Sequence, residues 1–219
     1  LKIDFLIIIK FNKLFSSLSA EQFINKILKE KINSKFLYVS KNFKFGKNRQ
    51  GNIGTLKKFE KDCKYKTIIT SPFKKSKKII SSTLIRKKIS RGKMNEAKRL
   101  LSRKWCVKGL VIKGEQRGRK IGFPTCNIKI DEYIVPKLGV YSVLVEFDRF
   151  KKKGVANVGY RPTFKGQNLL LEVNIFGINK NLYNKEINIY FNKFIRPEKN
   201  FKDLEQLKKQ IKIDIVHAK

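Results

Sequence analysis

The chain has 219 residues, 41% of them hydrophobic, with 52 Lys and Arg against 17 Asp and Glu for a formal charge of +35. That length and apolar content suit one large or two small folded domains and exclude a disordered chain, and no apolar run approaches the ~20 residues of a membrane-spanning helix. With His217 as the single histidine, Cys/His zinc sites, a Ser–His triad and a Cys–His dyad are excluded, which leaves carboxylates, hydroxyls, backbone amides and a hard metal ion for any catalysis.

In chain order, the apolar run at residues 4–9 predicts a buried strand. Ser19 with Gln22 three residues later has capping-box spacing, Leu18 can staple to Phe23, and Phe23, Ile24, Ile27 and Leu28 share one face. These signals predict a helix over residues 19–30. Short strands are expected at 36–39 and 67–70, and helices at 82–90 and 95–103, separated by a turn at Arg91-Gly92. This alternation predicts an α/β fold with a parallel sheet, incomplete at its start. From Trp105 the pattern changes to strands at 107–113, 125–130, 140–147, 154–158, 169–176 and 187–194, punctuated by Gly, Pro and Asn. Such spacing predicts a six-stranded antiparallel barrel. A last helix runs from Asp203 to about His217, with Asp203 as cap and a stripe of Leu204, Leu207, Ile211 and Ile215 expected to pack on the barrel. The domains are therefore read as residues 1–103 and 104–219. The chain begins at Leu1 and Met94 is its sole methionine, so a segment of the full protein is expected to precede it.

The charge invites a nucleic-acid reading, because so basic a surface attracts polyanions. The lysines are spread along the chain, however, without an interleaved aromatic platform. Lys, Ile and Asn, all with A/T-rich codons, are abundant together. Codon bias and a solvated surface account for the charge better than a nucleic-acid partner, although the field should still recruit ATP. Cys63, Cys106 and Cys126 are an odd, unpaired set that fits reduced thiols in a cytoplasmic protein.

Three segments of the second domain carry candidate chemistry. In residues 113–127, Gly114, Gly118 and Gly122 permit close approach of backbone amides to an anion, and Arg117, Arg119 and Lys120 add charge. Pro124 fixes the backbone ahead of Thr125 and Asn127, whose oxygens suit Mg²⁺ and phosphate. Taken alone, a Gly/Arg loop is more often a solvated turn, and this one matches neither the Walker nor the dinucleotide pattern. In residues 169–176, alternation puts Leu171, Val173 and Ile175 on one face and Leu170, Glu172 and Asn174 on the other. Glu172 is then either a solvent-facing residue or a functional one. The third segment, residues 195–201, leads into the final helix.

Together these segments resemble a known family. Gly122-Phe123-Pro124-Thr125-Cys126-Asn127 is similar to the Gly-Phe-Pro-Thr-Ala-Asn signature of riboflavin kinases. Gly139-Val140-Tyr141, the run from Gly154 to Phe164, Leu171-Glu172-Val173, Leu182-Tyr183 and Arg196-Pro197-Glu198 follow in the family's order, so the resemblance covers about residue 105 to the end. The earlier part resembles the first domain of the bacterial bifunctional riboflavin kinase/FMN adenylyltransferases, at Phe11-Asn12, residues 18–23, residues 42–47 and Ser81-Ser82-Thr83-Leu84-Ile85-Arg86. The resemblance implies a Rossmann-like nucleotidyltransferase remnant followed by a riboflavin kinase barrel, with riboflavin, ATP and FMN as partners and Mg²⁺ accompanying ATP. It implies that Thr125 and Asn127 hold the metal and that Gly114, Arg117, Gly118, Lys120, Gly122 and Pro124 complete the ATP site. Glu172 would be the general base, Arg196, Glu198 and Phe201 would lie on the flavin side, and Ser82, Thr83 and Arg86 would form a nucleotide-phosphate remnant. For Ser82, plain helix capping is an equal alternative.

The sequence departs from the family pattern at Cys126, where the family has Ala, and at Asn174, where it often has His. It has no His-x-Gly-His motif, and Ser40 and Asn42 replace a Gly and an Asp. The chain as written is therefore expected to make FMN and not FAD. The competing readings are a basic nucleic-acid-binding barrel and a flavin-binding regulator without catalysis.

Overall fold

Capping signals dominate the first eighty residues and period-two alternation the last hundred. The computed structural model, which describes residues 3–75, 78–114, 116–163, 166–178 and 180–219, divides accordingly into two units, Leu1–Ile79 and Ile80–Lys219.

In the first unit, α1 (Lys13–Ser16) is capped by Asn12, whose side chain accepts from Phe15 N at 2.8 Å. The capping box at Ser19 forms as expected: Ser19 Oγ accepts from Gln22 N at 3.1 Å and Gln22 Oε1 from Ser19 N at 3.0 Å. It opens α2 (Ala20–Gln22), which runs on through Phe23–Lys31 as a wider coil. β1 (Phe36–Ser40) and β2 (Lys66–Thr70) pair in parallel, with α3 (Ile53–Lys58) and α4 (Glu60–Cys63) between them in sequence. Ala20, Ile24, Phe45, Leu56, Cys63 and Tyr65 form the core. A short antiparallel pair, β3 (Lys74–Lys75) and β4 (Lys78–Ile79), ends the unit.

The strand expected at residues 4–9 is not formed. Phe5 and Ile8 are 89% and 85% exposed, and the run pairs with no described strand. An apolar pattern can signal burial, but a strand also requires a neighbour to take its backbone hydrogen bonds.

The second unit opens with α5 (Ser82–Ser90) and α6 (Met94–Leu101), joined through Gly92 at φ +70°. Its cap is Ser81, which accepts from Leu84 N at 3.2 Å, so Ser82 stands inside the helix and does not cap it. Ile89, Met94 and Ala97 of these helices join the same core as Trp105 and Phe191. Their amphipathic faces are thus buried against the barrel, although the sequence reading grouped them with residues 1–103.

The barrel strands are β5 (Cys106–Leu110), β6 (Cys126–Lys129), β7 (Gly139–Phe147), β8 (Phe150–Thr163), β9 (Gly166–Ile175) and β10 (Glu186–Arg196). They are ordered β5-β10-β7-β8-β9-β6, all antiparallel. A bridge between Ile112 and Asn127 brings the two edges together and nearly closes the sheet. Alternation fills the interior: Tyr141, Val143, Val145 and Phe147 point inward from β7, Leu169, Leu171, Val173 and Ile175 from β9, and Ile187, Ile189 and Phe191 from β10. Residues of the other parity face outward, and the polar row of the candidate site lies there.

α8 (Leu204–Ala218) is capped by Asp203, which accepts from Gln206 N at 2.8 Å. It packs on the outer barrel face, where Ile215 and Ala218 meet Val140, Val155, Phe176 and Ile195. The expected stripe is shifted: Leu204 is 61% exposed, whereas Asp214 is buried. Asp214 is drawn inside by Arg196, whose Nε and Nη2 reach its carboxylate at 2.9 and 2.7 Å. An ion pair this buried replaces the apolar contact that periodicity alone would predict.

Candidate active site

Three neighbouring strands place a row of polar side chains across the outer face of the barrel. Asn127 of β6 is directly opposite Glu172 of β9, and Glu172 is directly opposite Asn157 of β8. Thr125 lies two residues before Asn127, just ahead of the start of β6. Asn127 is buried, because the chain at Gly114 passes over it. A Cβ on Gly114 would collide with the Asn127 amide, so the missing side chain is what permits this closeness.

Glu172 is ion-paired with Arg161, whose Nη2 lies 2.5 Å from Oε2. Arg161 Nη1 reaches Glu198 Oε1 at 3.2 Å and Tyr160 O at 3.0 Å. Asn157 Nδ2 donates to the same Glu198 oxygen at 3.3 Å, and Asn157 Oδ1 is buried with no hydrogen-bond partner among the described residues. Burial pulls the Arg161 guanidinium down, but the pairs with Glu172 and Glu198 outweigh it and leave its pKa above the ordinary value.

Beside this row a cleft of about 360 Å³ opens between the chain around Gln116–Cys126 and the chain around Ile178–Tyr183. Val111, Val173, Ile175 and Leu182 give it an apolar wall, and Arg119 and Lys180 also line it, with the Lys180 ammonium 5.1 Å from the Phe150 ring centroid. Pro124, Thr125 and Cys126 line it too, so the cleft adjoins the strand that bears Asn127. The loop is shaped by α7 (Arg117–Lys120), by Phe123 N donating to Gly118 O at 2.8 Å, and by Gly122 at φ +90°. Gly118 lies tight against Phe123 O, where a Cβ would clash. Asn174 Nδ2 donates to Pro124 O at 2.7 Å and pins the start of β6 to β9.

The candidate residues read from the sequence fall into separate places. Gly114, Gly118, Pro124, Thr125, Asn127 and Glu172 come together around the row and the cleft, whereas Gly122 shapes the loop at φ +90° with open space where its Cβ would be. Lys120 is exposed on α7, and the Arg117 side chain lies outside the described residues. Glu198 reaches the row through Arg161. Arg196 instead holds Asp214, with its guanidinium carbon 5.9 Å from the Phe201 ring centroid. Ser82, Thr83 and Arg86 are exposed on the first turns of α5. Sequence reasoning missed Arg161, Lys180 and Asn157, because their relevance comes from cross-strand register and loop approach and not from local spacing.

The hard neutral oxygens of Thr125 and Asn127 fit a divalent cation that arrives with phosphate ligands. Among the described residues no three His, Cys, Asp or Glu side chains gather into a metal cage. That donor set suits an ion such as Mg²⁺, which keeps waters and takes substrate phosphates as ligands. In the first unit a second cleft, of about 490 Å³, is lined by Lys41, Asn42, Phe43, Lys44, Arg49 and Asn52 among others.

Comparison with known proteins adds to this geometry. The riboflavin kinase family model matches residues 101–219, and the FAD synthetase model matches residues 1–84. A bifunctional riboflavin kinase/FMN adenylyltransferase of Buchnera aphidicola subsp. Schizaphis graminum is 43% identical over 98% of this chain and 70% of its own. The protein of that name from Escherichia coli K12 is 33% identical over 99% of this chain and 70% of its own. A crystal structure named as a macrolide-efflux protein from Streptococcus pneumoniae is 34% identical, with a TM-score of 0.81 over 95% of this chain and 67% of that one. No helix among the described residues is long and apolar enough to cross a membrane.

Proposed function

The chain belongs to the bifunctional riboflavin kinase/FMN adenylyltransferase family, and from that premise we propose that the row of Asn127, Glu172 and their neighbours is its phosphoryl-transfer site. The reaction is the phosphorylation of riboflavin to FMN by ATP. The observation that carries the site assignment is the cross-strand pairing of Asn127 with Glu172 beside a cleft lined by Thr125.

ATP enters the cleft with its base against Ile178 and Tyr183, the half-buried apolar groups of its lining. Its phosphates run towards Thr125, with the Gly114–Gly122 loop over them and Arg119 and Lys120 supplying charge. Thr125 and Asn127 would hold Mg²⁺, which when bound neutralises charge on the phosphates. Glu172 takes the proton of the riboflavin 5′-hydroxyl. Such a hydroxyl, with a pKa of roughly 16 like water's, is a poor nucleophile until a carboxylate accepts its proton. The remaining catalysis is alignment: the strands fix donor and acceptor in place. Glu198 and Phe201 lie on the flavin side. Arg196 acts there by anchoring the segment that bears them to Asp214 of α8.

By the same reading residues 1–103 are the later part of an FMN adenylyltransferase domain and residues 104–219 the kinase domain. Ser82, Thr83 and Arg86 are a remnant of the nucleotide-phosphate element. The free thiols of Cys63, Cys106 and Cys126 suit a cytoplasmic location.

The test is incubation of the chain with riboflavin and Mg-ATP, separation of the flavins by chromatography, and Glu172→Gln in parallel. The parent should form FMN, and the variant should lose about 10²–10⁴-fold in kcat with the ATP KM little changed. A folded parent that forms no FMN would overturn the assignment. FAD among the products would give this chain the family's second activity as well.

A further inference from the structure

Arg161 occupies a position that the proposed mechanism does not yet use. One guanidinium links two carboxylates from distant parts of the chain: Glu172 on β9 at 2.5 Å, and Glu198 beyond the end of β10 at 3.2 Å. The link is built in from several sides. Asn157, four residues earlier on β8 and on the same face, donates to Glu198. Tyr160 O accepts from Arg161 Nη1 and fixes the direction of the fork. Gly159 lies between them, and a Cβ there would collide with Glu198 Oε1, so Glu198 can lie against the sheet because that residue is glycine. Arg161 is half-buried, with side-chain exposure of 33%, and its partners Glu172 and Glu198 stand at 29% and 36%.

Resting on the kinase reading, we propose that Arg161 is a positioning residue that ties the flavin-side segment to the strand of the general base. A planar guanidinium with donors on both arms can hold two carboxylates at fixed angles, which an ammonium on a flexible stem cannot. Through Glu198 it holds the turn that leads from Arg196 to Phe201, and through Glu172 it sets the carboxylate that the 5′-hydroxyl must meet. Seating of the flavin and alignment of the base thus become one event. Arg161 also competes with the hydroxyl for Glu172, so a correctly placed riboflavin must take over one of the carboxylate's hydrogen bonds. That exchange favours a ligand whose ribityl chain ends at the right distance.

The full chain is tested as Arg161→Gln, Arg161→Lys and Arg161→Gln/Glu198→Gln. The readouts are riboflavin binding by flavin fluorescence without ATP, kcat and both KM values for FMN formation, and the melting temperature. The expected result for Arg161→Gln is a loss on the order of tenfold to a hundredfold in kcat over riboflavin KM, the scale of a mispositioned reacting group. The ATP KM should stay within about twofold, because the cleft is not touched. Arg161→Lys should recover part of the loss, and the double variant should bind riboflavin no worse than Arg161→Gln, because both act on one link. Parent-like riboflavin kinetics in Arg161→Gln, or equal losses towards ATP and riboflavin with a lowered melting temperature, would overturn the proposal. Should Arg161→Gln fail to fold, parent-like kinetics in Arg161→Lys would overturn it as well. A parent that binds riboflavin without forming FMN would refute the kinase reading, whereas the binding comparison would still decide whether Arg161 and Glu198 act together.

Discussion

Cys126 lines the cleft from the start of β6, between Thr125 and Asn127, and burial pushes its thiol up from 9.0 to about 11. At pH 8 it is therefore almost wholly protonated, and the protonated thiol is a weak nucleophile. The sign of the linked stability follows from the same shift. Below pH 9 the folded and unfolded chains both keep the proton, and between pH 9 and 11 the unfolded chain loses it first. This thiol therefore erodes stability as the pH rises through that window. We expect iodoacetamide at pH 8 to label Cys126 at least about tenfold more slowly in the folded chain than in urea, with Mg-ATP slowing it further. Peptide mapping by mass spectrometry reads both rates, and fast labelling of the folded chain would refute the buried thiol. At this scale the sequence was informative wherever parity alone decides. The alternation of residues 169–176 correctly put Leu171, Val173 and Ile175 inside and Glu172 outside. It could not reveal that Glu172 meets Arg161, eleven residues away across the β8–β9 pair, because that contact is set by strand register.

Among the elements, α5 and α6 separate the pattern of the sequence from the physics of packing. Their periodicity resembles the α/β half, yet Ile89, Met94 and Ala97 are buried in the barrel's core. A fragment of residues 80–219 should therefore fold with its core complete, whereas a fragment of residues 104–219 would expose the surface these three residues cover. Losing buried side chains of this size costs about 3 kcal/mol or more in comparable cores, so the shorter fragment should unfold at a clearly lower urea midpoint. Equal midpoints would instead support a boundary at residue 103. The capping residues were legible to within one position, as Ser19, Asp203 and the Ser81–Ser82 pair illustrate. Cap chemistry is local, and local chemistry is what a sequence displays. The run at residues 4–9 departs from its pattern for the opposite reason. Its apolar pattern is local, but a strand depends on a neighbour elsewhere in the chain.

At the scale of the whole molecule the charge of +35 acts on each substrate differently. Like charges spread over the surface repel one another and oppose compactness, while the same field attracts polyphosphate. Added salt shortens the reach of both effects, from about 10 Å at 0.1 M to about 3 Å at 1 M. Riboflavin is uncharged at neutral pH and ATP carries several negative charges, so the two Michaelis constants should part company as salt rises. Between 0.1 and 1 M KCl we expect the ATP KM to increase several-fold, the riboflavin KM to change by less than about twofold, and the melting temperature to rise. Steady-state kinetics with each substrate varied in turn, alongside thermal melts, would measure all three. If both constants rose together, the salt would be acting on the fold and not on the field. If binding to RNA showed a steep salt slope of its own while the ATP KM stayed flat, the charge would serve a nucleic-acid partner after all.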